Sequence, residues 1–376
     1  MSSTTTDLLS RRFGSETVNY YAGSRLNRYS FLRSDSRFLA SAIASPSARF
    51  VVLDALAPLV VDRRNLAFLS VHQVRPLIGD DGLSDAAAPL VVFLGLAEGE
   101  EDAVEIETSN HGIVRGRPYF AIDATPQPPI SEAARALLDN QAAQGISVLS
   151  DPRSMTFSPE AACIFAQARS MIDWNTRNPF CAGCGRPTVP VQAGYKRLCP
   201  RADAGSCPTH GAISNVCFPR SDPTMIAAVV SADGNRILLG RQSRYPPQWY
   251  SCLAGFIEPG ESVEEAVRRE VWEEAGVKVG RVVIHSTQPW PYPASLMLGA
   301  IAQSLPDHED IVLNDKELES AIWFNVDEVR DALTAHRPGE EEKRGKKSLR
   351  LPPPQAIANR LMTAVVQGFL TDIPKI

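Results

Sequence analysis

The sequence predicts an α+β protein: an α/β/α sandwich around a mixed sheet, preceded by a four-cysteine segment and a mainly β N-terminal domain. Three observations carry that expectation. A helix with misplaced carboxylates follows a strand–turn–strand pattern in the C-terminal half. Four cysteines stand in two pairs just ahead of it. Short apolar runs parted by turns fill much of the first third.

At 376 residues the chain has room for two or three domains, each with an ample core. A formal net charge of −5 and a pI near 5.8 argue against binding polyanions over the whole surface. No apolar run reaches the roughly 18 residues that span a membrane, and residues 1–13 lack the apolar stretch of a signal peptide. An intracellular, cytoplasmic protein with no membrane partner is expected. The seven cysteines then read as metal ligands or core thiols rather than disulfides. The closing Pro374-Lys375-Ile376 has the small–basic–aliphatic form of a peroxisomal address, with an ordinary tail as the alternative.

Taken in order, apolar runs at 50–61, 66–78, 89–96 and 119–122 predict a mainly antiparallel sheet of short strands. Helical patterns follow at 131–141 and 159–174, the second capped by Ser158. No internal repeat is visible. Cys181 and Cys184 then pair two residues apart, with Cys199 and Cys207 as a second, wider pair. That is the spacing logic of a tetrahedral zinc ribbon, with His210 as alternative fourth ligand and core thiols or a redox pair as the bland readings. Cys163, Cys217 and Cys252 stand singly and read as buried thiols.

From Phe218 onward the pattern is strand, Asp-Gly turn, strand, loop and helix. Ser262 and Glu265 have capping-box spacing, so the helix should start at Val263 and stop at Gly276. Val263, Val267, Val271 and Ala275 form its apolar stripe. At about 100° per residue, Glu274 falls about 20° and Glu270 about 60° from Val267, with Glu273 further round. A solvated acidic helix explains Glu264 and Glu265, which favour the N-terminus. It does not explain carboxylates beside a buried seam, which call for a cation; a hard divalent ion suits oxygen ligands. Further strands are expected near 282–285 and 296–303, a solvated charge-rich tract at 337–348, and a last helix at 355–369. Between them, residues 287–295 set three prolines among Trp290 and Tyr292, a stiff loop that cannot be a central strand.

Gly255, Glu261, Arg269-Glu270, Glu273-Glu274 and Gly276, with Val271 and Val277 at aliphatic places, fill the Nudix box. The loop at 287–295 resembles the SQPWPFPxS array of NADH pyrophosphatases, with Thr287 for Ser and Tyr292 for Phe. That family also has a zinc ribbon before its Nudix domain. Asp315-Lys316-Glu317-Leu318, the Leu351-Pro352-Pro353-Pro354 segment and, more loosely, residues 22–33 match it as well. The wide second cysteine pair departs from its compact ribbon.

The resemblance implies a Nudix sandwich and metal-dependent cleavage of the pyrophosphate bond of NADH or NAD⁺, to a nicotinamide mononucleotide and AMP. Mg²⁺ or Mn²⁺ falls on Glu270, Glu274 and Glu317 with the Ala254 carbonyl, Glu273 assisting, while Zn²⁺ is structural. Gln288, Pro289, Trp290, Pro291, Tyr292, Pro293, Ala294 and Ser295, with the Ala358 backbone, are the implied dinucleotide contacts. Phe256, and Phe218 across a homodimer interface, are candidates to stack on nicotinamide, and Arg269 orients a box carboxylate, Glu261 first. The domains fall at 1–174, 175–217 and 218–376. Removal of NAD caps from RNA uses the same bond and is the alternative reading; a non-catalytic nucleotide-binding module is the third.

Overall fold

The computed structural model describes residues 15–79, 89–200, 207, 216–314, 317–334 and 348–368. His210, Asp315, Lys316, most of the 337–348 tract and Pro374-Lys375-Ile376 lie outside them. Among the described residues no helix is long and apolar enough to cross a membrane. The chain forms two units: Gly23–Ser221 with Trp290–Ala294, and Met1–Ala22 with Asp222–Pro289 and Ser295–Ile376.

The first unit carries strands β1 (Leu26–Asn27), β2 (Arg49–Asp54), β3 (Ala57–Asp62), β4 (Asn65–Leu66), β5 (Phe68–Leu69), β6 (Val91–Ala97), β7 (Val104–Glu107), β8 (Ile113–Asp123) and β9 (Ser147–Val148). They form one sheet in the order β1-β6-β8-β2-β3-β4. Helices α1 (Ser36–Ala44), α2 (Val71–Ile78), α3 (Ser131–Ala143) and α4 (Pro159–Arg177) accompany it. Phe38, Phe50, Phe93 and Phe120 are fully buried at its centre. The sheet is mixed, because β2 and β8 run parallel. The apolar run at 66–78 is not one strand. It breaks after β5, where Ser70 and Gln73 form a capping box and start α2.

The zinc-ribbon segment folds as β10 (Val189–Val191), β11 (Lys196–Leu198) and β12 (Val216–Cys217), an antiparallel three-stranded sheet. Buried Arg197 fastens it to α4: its guanidinium donates to the Thr188 carbonyl (2.7 Å), Thr188 Oγ1 (2.8 Å) and Asn175 Oδ1 (3.2 Å). Every bond ends on a neutral acceptor, so the buried charge is met by dipoles.

In the second unit, β13 (Asp222–Val230), β14 (Arg236–Arg241), β15 (Leu253–Phe256), β16 (Val279–Trp290), β17 (Ser295–Ser304) and β18 (Ser320–Asn325) form a sheet ordered β16-β17-β13-β14-β18, with β15 on β13. Strand alternation divides β13 between two cores. Met225, Ala227 and Val229 pack with Ala266, Val267, Val271 and Ala275 of α5 (Val263–Ala275). Ile226, Ala228 and Val230 pack with Val329 of α6 (Val326–Thr334) and with Leu361 and Val365 of α7 (Ile357–Val366). This is the expected α/β/α sandwich.

The two sheets repeat one topology, although no repeat is visible in sequence. The order β6-β8-β2-β3 matches β16-β17-β13-β14. Each contains a parallel pair, β2 with β8 and β13 with β17, and a further strand, β5 or β15, antiparallel to the first. A helix with a Ser capping box follows each further strand. Topology survives where side chains diverge, because it needs only apolar alternation.

Two expectations shift. Residues 287–290 belong to β16 rather than to a loop, which Pro289 tolerates because β16 is an edge strand. The last helix starts at Ile357, two residues late, behind Ala356 as N-cap.

Gly276 ends α5 at φ 73°, with its N–H bonded to the Trp272 carbonyl at 2.8 Å. A Cβ there would lie 2.9 Å from the Val312 carbonyl oxygen. Gly276→Ala should therefore cost at least about 1–2 kcal/mol in urea unfolding, and an unchanged midpoint would contradict this stop.

Candidate active site and zinc centre

The box helix starts as its sequence requires. Ser262 Oγ accepts from the Glu265 N–H (3.2 Å) and the Glu265 carboxylate from the Ser262 N–H (2.7 Å). With Val267, Val271 and Ala275 pinned in the core, helical spacing brings Glu270 and Glu274 inward. They are 9% and 2% exposed, whereas Glu273 stays half-exposed. Burial pushes the Glu270 carboxyl up; Arg269 pulls it down, and Glu273 and Glu317 raise it again.

Arg269 organises the acidic face. Its Nε and Nη2 grip both oxygens of Glu261 at 2.6 and 2.9 Å, its Nη1 reaches Glu270 (3.0 Å) and Glu273 (2.9 Å), and Nη2 also meets the Phe256 carbonyl (2.9 Å). The grip holds the Glu261 carboxyl down to about 2, with the Glu258 N–H helping. The expected pairing of Arg269 with Glu261 is present, and one guanidinium reaches two more box glutamates.

Gly255 explains why the box opens on glycine. A Cβ there would stand 2.0–2.3 Å from the carboxylate atoms of Glu270, so only glycine lets that carboxylate lie against β15. Ala254, opposite Ile226 of β13, precedes it in β15. Buried Glu270 and Glu274, with Glu273 sharing Arg269, supply oxygen ligands of the type a hard divalent cation takes.

Phe256 is 60% exposed at the end of β15, open to a planar ligand. Phe218 is also exposed, with Lys196 Nζ 4.7 Å from its ring centre. Gln288 is fully buried and its amide is spent: Nε2 donates to the Tyr20 (3.0 Å) and Gln355 (2.8 Å) carbonyls, and Oε1 accepts from the Ile357 N–H (2.9 Å). Ala358 lies in the next helical step, its carbonyl facing the Cys252 thiol at 3.7 Å. Ser295 is buried at the start of β17.

Pro289 closes β16 beside Trp290, and Pro291, Pro293 and Ala294 make the turn, with a cis Tyr292–Pro293 peptide. Trp290 and Tyr292 meet edge to face at 5.6 Å. The Tyr292 hydroxyl donates to the Pro152 carbonyl, and the Arg153 and Arg169 guanidiniums lie 5.0 and 4.8 Å from its ring. Tyr292 is thus an anchor of the turn. Arg153 and Arg169 had no motif to mark them.

The four cysteines do converge. The thiol sulfurs of Cys181, Cys184, Cys199 and Cys207 all lie within 4.8 Å of one another, the only such cluster among the described residues. Cys181 to Cys207 is 3.9 Å and Cys184 to Cys199 is 3.7 Å. A tetrahedral Zn²⁺ with bonds of about 2.3 Å sets its sulfurs about 3.8 Å apart, so the cluster fits structural zinc. Cys207 supplies the fourth sulfur despite the wide spacing. Cys163 and Cys252 are buried thiols as expected, whereas Cys217 is half-buried. Cys184→Ser should lose bound zinc and lower the unfolding temperature. Full zinc content by elemental analysis, with unchanged melting, would refute the assignment.

Comparison with known proteins agrees with this anatomy. Three family models match: a NUDIX domain over residues 222–344, an NADH pyrophosphatase-like rudimentary NUDIX domain over 47–174, and an NADH pyrophosphatase zinc ribbon domain over 176–204. The rudimentary match falls on the sheet whose topology repeats that of the second unit. The human NAD-capped RNA hydrolase NUDT12 is 35% identical over 360 residues, covering 92% of this chain and 73% of that protein. An NAD-capped RNA hydrolase of Schizosaccharomyces pombe is 35% identical over 371 residues, covering 94% and 93%. The human mitochondrial NAD(P)H pyrophosphatase NUDT13 is 38% identical over 207 residues, 55% of each chain. Likeness to two relatives over more than nine-tenths of this chain, with all three family models matched, makes this protein a member of the NADH pyrophosphatase branch of the Nudix family.

Proposed function

We propose that the protein hydrolyses the pyrophosphate bond of NADH and NAD⁺, releasing a nicotinamide mononucleotide and AMP. The observation that carries this reading is Glu270 seated against Gly255 and bonded to Arg269, which also holds Glu273 on the same helix and Glu261 ahead of it. Glu270, Glu274 and Glu317, with the Ala254 carbonyl, are the residues to hold Mg²⁺ or Mn²⁺. When bound, such an ion neutralises pyrophosphate charge and acidifies water. Glu274, 2% exposed beside the core stripe, accepts the proton of the attacking water. Glu273 assists from the rim, and Arg269 bridges Glu270 and Glu273 through one nitrogen and orients both.

Recognition falls to the segment from Gln288 to Ser295 and the Ala358 backbone. With its amide engaged inside the protein, Gln288 contributes position, and Tyr292 shapes the turn. Trp290 is a candidate ring for a planar base, and Phe256 is a separate candidate. Phe218 belongs to the same reading, reaching the nicotinamide of a second copy in a homodimer. Removal of NAD from RNA 5′ ends is the second reading, supported by the names of the relatives in human and fission yeast. A non-catalytic module has less support, since a binder gains nothing from crowding Glu270, Glu273 and Glu274 together.

Product analysis with NADH, NAD⁺, ADP-ribose and NAD-capped RNA side by side tests the assignment. NADH should give the mononucleotide and AMP, and excess chelator should abolish turnover. Glu274→Gln should lose at least about 100-fold in kcat, as expected for a base or metal ligand. Undiminished turnover in chelator would sink the metal mechanism.

Trp290→Ala should weaken NADH cleavage several-fold more than ADP-ribose cleavage, the scale of one aromatic contact worth about 0.5–1.5 kcal/mol. Equal losses on both substrates, with the fold intact by circular dichroism, would reduce the segment to scaffold.

A further inference from the structure

Strand β16 lies at a sheet edge, so part of its backbone needs partners the sheet does not supply. Over Ser286 to Gln288 the partner is the chain around Asn19. Asn19 is 3% exposed, and its Nδ2 donates to the Thr287 carbonyl (2.8 Å) and Ser286 Oγ (3.0 Å). Tyr20 offers its carbonyl to Gln288 Nε2 at 3.0 Å. The Ala22 N–H closes the turn on the Asn19 carbonyl at 3.0 Å. Between them Tyr21 is buried at φ 71°, a left-handed conformation that an aromatic residue adopts only when its surroundings enforce it.

Gln288 carries the constraint onward. Its remaining amide bonds hold the Gln355 carbonyl and the Ile357 N–H, at the start of α7. One strained turn, 267 residues away in sequence, therefore fixes the strand end that leads into Pro289 and Trp290. Both donor bonds of the buried Asn19 amide end on β16.

We propose that Asn19 is a positioning residue for dinucleotide recognition, clamping β16 so that the segment from Gln288 to Ser295 is presented in one register. The proposal rests on the reading that this segment recognises NADH. Asn19 touches no reacting atom, so its loss should weaken binding and leave the chemical step intact.

The test compares wild type, Asn19→Ala and Ser286→Ala in NADH kinetics and in hydrogen exchange followed by mass spectrometry. Asn19→Ala loses both donor bonds and should raise KM about tenfold, with kcat within about twofold of wild type. Exchange should quicken over residues 286–290 while α5 stays protected. Ser286→Ala loses one acceptor and should shift KM about two- to threefold, which keeps the test open should Asn19→Ala fail to fold. Unchanged KM, or a fall in kcat at constant KM, in folded variants would overturn the proposal. If wild type leaves NADH intact, the functional reading falls instead. Exchange over 286–290 then decides the clamp alone, and unchanged protection would sink it.

Discussion

Like charges at neighbouring helical positions repel, and on α5 three of them flank a buried seam. The Arg269 guanidinium makes this arrangement tenable. Its planar fork holds Glu261 by both oxygens and still reaches Glu270, Glu273 and the Phe256 carbonyl. A lysine ammonium could not span those directions. Arg269 therefore ties the loop after β15 to the helix and orients Glu261, Glu270 and Glu273, while the core stripe of α5 sets where Glu274 stands. Everything proposed about the chemistry depends on that placement.

The sheet beneath the box helix has two buried faces, and β13 serves both by simple alternation. The same strand order recurs in the first unit, down to a parallel pair and the Ser-capped helix after β5. The helix there, Val71–Ile78, has no acidic residue, so the architecture is repeated without the charged cluster. A fold can be kept by apolar pattern alone, whereas a metal site needs particular side chains.

The ribbon illustrates the converse. Its three strands are very short, and its order comes from four thiols and from Arg197 locked onto Thr188 and Asn175. Small modules of this kind have too little apolar surface to hold their shape unaided.

Much of the site was legible from sequence because its determinants are local. Capping at Ser262, the stop at Gly276, the inward swing of Glu270 and Glu274, the helix beginning at Ser131 and the helix capped by Ser158 all follow from short-range spacing. The paired cysteines declared their chemistry despite the wide second pair. What tertiary structure decided involves contacts distant along the chain. The buried amide of Gln288, the grip of Asn19 on β16, and the arginines around Tyr292 leave no periodic trace. The repeat between the two sheets was hidden for a related reason, since alternation constrains polarity and size but not identity. Strand Pro289 was misjudged because sequence shows proline's missing donor but not whether the strand lies at an edge, where that donor is not needed.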